Sequence, residues 1–97
     1  MASGPRTPEL AALGATIRAL RKAKGLSQEG LALEISVSRN HIGKVERAQQ
    51  SPTFDRLVLI ARGLEITLSE LMGGYEERFE RELQETESRA EQVAVAG

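Results

Sequence analysis

A chain of 97 residues with net charge −1 holds one small domain, or one domain with an appendage. Two fifths of it is apolar, yet it has one Tyr, two Phe and no Trp, so the core must be built from Leu, Ile, Val and Ala, which favours helices over a β-sandwich. The lack of cysteine excludes a disulfide framework and a thiolate metal site, no apolar run approaches the ~18–20 residues of a membrane span, and no apolar signal core opens the chain, so a cytoplasmic protein is expected.

The charge is unevenly divided. Residues 1–74 carry a balance of +3 and residues 75–97 one of −4, a mildly basic body with an acidic tail. The first segment, residues 1–7, has Pro, Gly and Ser without periodicity and is expected to be disordered. A first helix is predicted from Pro8 to about Lys24. Thr7 caps it, Leu10, Leu13, Ile17 and Leu20 lie on one face, basic residues gather at its C-terminal end, and Gly25 stops it.

Ser27 caps a second helix, Gln28 to about Ile35, whose inner face is Leu31, Ala32 and Ile35. Gly30 inside it costs about 1 kcal/mol against Ala, for no reason visible in the sequence. After a turn at Ser36-Val37, Ser38 caps a third helix reaching about Arg47. Ile42 and Val45 point inward, which leaves Arg39, Asn40, Gly43, Lys44 and Arg47 on the other side. Asn can pair with adenine edges and Arg or Lys with guanine, but an ordinary surface helix would carry such a face too.

A fourth helix is predicted from Phe54 to Arg62, capped by Thr53 and ended by Gly63. Its apolar residues are too many for one stripe, which predicts burial on more than one side. Thr67 and Glu70 form a capping box for a fifth helix ending at Met72, and Gly73-Gly74 reads as a flexible break. Beyond it, 75–97 reads as a separate amphipathic helix with a frayed end. Tyr75, Phe79, Leu83, Thr86, Ala90 and Val93 approach a heptad seam, so Tyr75, Phe79 and Leu83 are the candidate dimer contacts. A helix folded back on its own domain is the alternative.

The run from Leu13 to Met72 resembles the λ repressor/Cro-like helix-turn-helix family, also called the XRE family. The landmarks are IRALRKAKGLSQ, the Leu31-Ala32 pair, Val37-Ser38, Ile42, Val45-Glu46-Arg47, Ser51-Pro52-Thr53, the Leu57, Ile60-Ala61, Leu64 ladder and Leu68-Ser69-Glu70-Leu71. The resemblance implies an all-α, five-helix DNA-binding domain over residues 8–74, here with an additional C-terminal helix. Its recognition helix, about 38–47, would enter the major groove of double-stranded DNA. It implies base reading by Ser38, Arg39, Asn40 and Lys44. Phosphate contacts would come from Gln28 and neighbouring Ser27 at a helix N-terminus, which suits anions, and from Arg47 and Gln49 just after helix 3. Arg21 and Glu46 match a partly buried structural ion pair. Where the family has Gly in left-handed turns, this chain has Ser36 and Ala48, so the backbone differs there or bears about 1 kcal/mol of strain.

His41 has no acid, nucleophile or metal-ligand companion at motif spacing, so no catalytic residue and no metal is expected; it is a candidate phosphate neighbour whose charge would raise DNA affinity as pH falls. No cofactor and no small-molecule ligand is expected. The resulting expectation is a homodimeric transcriptional regulator on an inverted-repeat operator, with activation and repression both open. Two rivals stand beside it: an antitoxin-like interaction module that also autoregulates, and an adaptor that binds DNA without reading sequence.

Overall fold

The computed structural model describes residues 6–96, with side chains through residue 92. The first five residues of the predicted irregular segment, and the side chain of Val93 in the predicted seam, lie outside the described residues. Five helices make up the described chain: α1 (Pro8–Ala23), α2 (Gln28–Glu34), α3 (Arg39–Glu46), α4 (Phe54–Gly63) and α5 (Leu68–Ala96).

Each helix begins on the hydroxyl that the sequence marks. Thr7, Ser27, Ser38 and Thr53 accept the backbone N–H three residues on, from Leu10, Gly30, His41 and Arg56, at 2.9–3.2 Å. Thr67 and Glu70 close a reciprocal box. The Thr67 hydroxyl accepts from Glu70 N at 3.0 Å, and the Glu70 carboxylate accepts from Thr67 N at 2.9 Å. The backbone and hydroxyl of Thr67 thereby hold the Glu70 carboxyl below its usual range.

The first four helices end alike, with the residue after the cap in the left-handed region: Gly25, Ser36, Ala48 and Glu65, at φ from 57° to 79°. The following N–H reaches back to an orphan carbonyl, as in Val37 N to Ala32 O at 3.0 Å and Ile66 N to Ala61 O at 3.0 Å. The backbone therefore keeps the shape that glycine would favour and carries the side-chain penalty at three positions. Ser36 is exposed, so Ser36→Gly should raise stability by about 1 kcal/mol, a shift of about 4–8 °C in thermal midpoint. An unchanged or lower midpoint in a calorimetric scan would contradict this account of the turn.

Leu13, Ile17, Leu31, Ala32, Ile35, Ile42, Val45, Ile60, Ala61, Leu64 and Leu71 form one buried cluster fed by all five helices. The predicted two-sided burial of helix 4 is not found. One face of α4 (Ile60, Ala61) is buried, but Phe54 is 68% exposed, as its place in the first turn carries it past the core. α4 does end at Gly63, one residue beyond the predicted Arg62. A Cβ there would lie 2.6 Å from Ile35 Cγ2, so glycine is needed for the approach of α2.

The fifth and sixth predicted helices are one. α5 runs 29 residues straight through Gly73-Gly74. Packing is the reason: a Cβ on Gly74 would lie 3.0 Å from Thr16 Cγ2, so the glycine lets α5 lie close on α1 rather than breaking it. Farther along, Arg78, Arg81, Glu82 and Glu85 face Ala11, Ala12 and Ala15 of α1 across a gap of about 160 Å³, and Arg6 lies 3.8 Å from Glu82. No helix among the described residues is long and apolar enough to cross a membrane.

Candidate nucleic-acid interface

The frame for α3 is an ion pair. Arg21, from α1, donates through Nε to Glu46 Oε2 at 2.6 Å and through Nη2 to Oε1 at 3.0 Å. Its Nη1 donates to the Leu26 carbonyl at 2.8 Å, and Gln28 Nε2 donates to Glu46 Oε1 at 3.0 Å. The side chains are 8% and 2% exposed. Hydrogen bonding to Glu46 raises the already high pKa of Arg21. This network ties α1, the start of α2 and the end of α3 into one unit. It also turns the single acid of α3 inward, away from its polar face.

That polar face is open. Arg39, Asn40, Lys44 and Arg47 are exposed. Gln28, Arg39, Asn40, Gly43 and Arg47 line a cleft of about 360 Å³ between the start of α2 and the outer side of α3. The structure so brings two candidate base readers (Arg39, Asn40) together with two candidate phosphate ligands (Gln28, Arg47). Lys44 stands one turn along on the same helix, outside the cleft lining. Ser27 and Ser38 are exposed, but their hydroxyls are held as cap acceptors. Gln49 reaches the site through Arg47, accepting from its Nε at 3.3 Å. Gly30, unexplained in the sequence, leaves room for the cap: a Cβ would stand 3.2 Å from Ser27 Oγ.

His41 is not brought to the cleft. Its ring is half-buried, with Nδ1 3.3 Å from Gln50 Nε2 and a shielded Nε2 that finds no partner among the described residues. Burial lowers its pKa, and the charges of Arg56 and Lys44 push the same way. The unfolded chain then binds the proton more readily than the folded one. Stability from this residue is complete above pH 6.5 and is lost as pH falls from there through the lower folded value. Denaturation from pH 7.5 to 5.5 should show that decline, and His41→Gln should flatten it; an equal decline in the variant would assign it elsewhere.

The predicted dimer contacts divide. Tyr75 lines an apolar pocket of about 200 Å³ with Leu10, Leu13, Leu57 and Met72 of its own chain, edged by Glu9 and Ser51. Burial, then Glu9 and Glu76, raise the pKa of its phenol. Phe79 stacks on it at 5.6 Å between ring centroids, and Leu83 is 39% exposed. Among the described residues, no group of three or more His, Cys, Asp or Glu could hold a metal ion.

Sequence reasoning placed Gly43 on the outer side of the third helix by periodicity but gave it no role, and it passed over Gly14, whose Cβ would strike the Val45 and Glu46 carbonyls. What each glycine makes room for is set by a neighbour's position, which no local pattern encodes.

A family model described as helix-turn-helix matches residues 17–71. An uncharacterized HTH-type transcriptional regulator of Rickettsia conorii is 40% identical over 65 residues, 67% of this chain and 52% of that protein. This chain thus spans about half the length of that relative. The restriction-modification controller protein C.AhdI from Aeromonas hydrophila has a similar structure, with TM-score 0.66 and 38% identity over 67% of this chain and 98% of that one. The controller protein C.Esp1396I, solved as a tetramer with its natural 35 base-pair operator, gives TM-score 0.69 at 28% identity over 73% of this chain and 93% of that one. With the five capped helices, the Arg21–Glu46 frame and the outward face of α3 in place, the chain belongs to the XRE-type helix-turn-helix family.

Proposed function

We propose that this chain is a cytoplasmic transcriptional regulator that binds an inverted-repeat DNA operator as a homodimer, with α3 in the major groove. The observation that carries the reading is the division of charge on α3. Its one acid is buried against Arg21, while Arg39, Asn40, Lys44 and the following Arg47 face outward. Arg39, Asn40 and Lys44 read base edges. Gln28 and Arg47 hold backbone phosphates, which fix orientation and supply affinity without sequence information. His41 is left out of this set, because its ring faces Gln50 and the interior. The solved controller proteins with regulatory names support this reading, and no catalytic role is assigned.

Two copies of α3 would stand about 34 Å apart, one turn of DNA. Phe79 and Leu83 are the contacts proposed for the dimer, with Tyr75 as the ring they build on. The exposed Phe54 of α4 is the competing surface. Sedimentation of Leu83→Glu and Phe54→Ser separates the two: the variant that becomes monomeric marks the interface, and two dimeric variants would refute both.

The function is tested by selecting binding sites from random duplex DNA with the full chain. Selected sequences should form inverted repeats. Arg39→Ala or Lys44→Ala should relax preference at one base pair per half-site, at a loss of ~1–3 kcal/mol. Selection of no consensus would leave a DNA-binding adaptor that reads no sequence.

A further inference from the structure

The glycines of this chain fall into different classes by what a side chain would meet. At Gly14 it would strike backbone, and at Gly63 other core side chains. At Gly43, in the middle of α3, its three nearest atoms all belong to one flexible side chain. A Cβ would lie 2.9 Å from Arg47 Nη1 and 3.6 Å from Arg47 Cζ and Nη2. Helix packing therefore has no need of this glycine, and as an interior helical residue it weakens α3 relative to alanine. What the missing side chain accommodates is the guanidinium of Arg47, one turn on, which lies back over the helix and buries Gly43 on the polar side. From the other side, Gln49 Oε1 accepts from Arg47 Nε at 3.3 Å, engaging Nε and not the two terminal nitrogens.

We propose that Gly43 is a positioning residue for DNA binding: its bare backbone seats the Arg47 guanidinium in the cleft beside Gln28, Arg39 and Asn40, where it grips a backbone phosphate. This rests on the reading of Arg47 as a phosphate ligand. A Cβ at position 43 displaces only the far end of a flexible arginine, so the fold tolerates it while the guanidinium leaves the cleft. A guanidinium swinging free must be ordered again on binding, and it loses the fork geometry that suits phosphate.

The test is a double-mutant cycle on the full chain with Gly43→Ala, Arg47→Ala and both together, using a mixed-sequence DNA duplex over a series of NaCl concentrations. Phosphate contacts form on any sequence, so no operator is needed. Gly43→Ala should melt at the same or a higher temperature and yet bind DNA roughly three- to tenfold more weakly, with a salt slope shallower by about 1. Arg47→Ala should do the same to binding, and the double variant should bind no worse than Arg47→Ala. A merely structural glycine would lower the melting temperature instead. Parental binding by Gly43→Ala, or additive losses in the double variant, overturns the proposal, the second outcome meaning that Gly43 itself meets DNA. If Arg47→Ala binds like the parent, the phosphate reading fails and the proposal falls with it; if Arg47→Ala alone weakens binding, only the proposal falls.

Discussion

Arg21→Met is expected to lower the free energy of unfolding by about 3–5 kcal/mol, the cost of leaving one member of a buried ion pair without its partner. Glu46 would keep only the Gln28 amide as a donor, since Arg21 supplies two of the three hydrogen bonds its carboxylate accepts. The Leu26 carbonyl would lose its guanidinium donor as well. The loss belongs to the stranded carboxylate rather than to missing attraction. Replacing both partners, as in Arg21→Met with Glu46→Leu, should therefore recover much of the stability. DNA binding should not recover with it, because Gln28 would no longer be anchored beside the cleft. Urea unfolding and DNA titration of the two variants make the comparison. A single-variant loss below about 1 kcal/mol would mean that water reaches the pair and that it behaves as a surface contact.

Gly14→Ala should cost about 2–3 kcal/mol although alanine is the better helix former by about 1 kcal/mol. Its Cβ would lie 2.6 Å from the carbonyl oxygens of both Val45 and Glu46. Backbone cannot rotate away as a side chain does, so α1 and the end of α3 must separate, and the Arg21–Glu46 geometry goes with them. Gly73→Ala is the matched control. It sits in α5 with open space around the added atom, so it should stabilise by up to about 1 kcal/mol. Thermal scans showing the same sign for both variants would contradict the packing account of Gly14.

The beginnings of helices were legible in the sequence because a cap is local chemistry. A hydroxyl and the N–H three residues later suffice, and Thr7, Ser27, Ser38, Thr53 and Thr67 all satisfy it. The ends were half legible. Gly25 announces itself, and Ser36 and Ala48 are suspect only against a family pattern. Nothing near Glu65 marks its φ of 58°: the bond from Ile66 N back to Ala61 O closes the same kind of turn there with no glycine to announce it. Glycine misled at Gly74, which lies inside α5, while Gly63 does close α4; what each glycine is for is read only with its neighbour from another helix, Thr16 or Ile35, in view. At the interface, the polar side of α3 follows from periodicity, whereas the Arg21–Glu46 pair spans 25 residues of chain and comes from the family resemblance alone.

The unbroken passage of α5 from Leu71 in the core to Leu83 outside it makes the tail a shaft keyed to the body. Each residue of an α-helix turns the following side chains by about 100°. One residue inserted after Leu71 would swing Phe79 and Leu83 a quarter-turn and more away from their present bearing on α3. Seven inserted residues, nearly two full turns, would return them to within about 20° while moving them outward. If two copies meet along that stripe, the angular phase of this shaft sets how their α3 helices address the two faces of a duplex. Changes in the length of α5 would then alter operator geometry in steps with the periodicity of a helix rather than in proportion to the number of residues added.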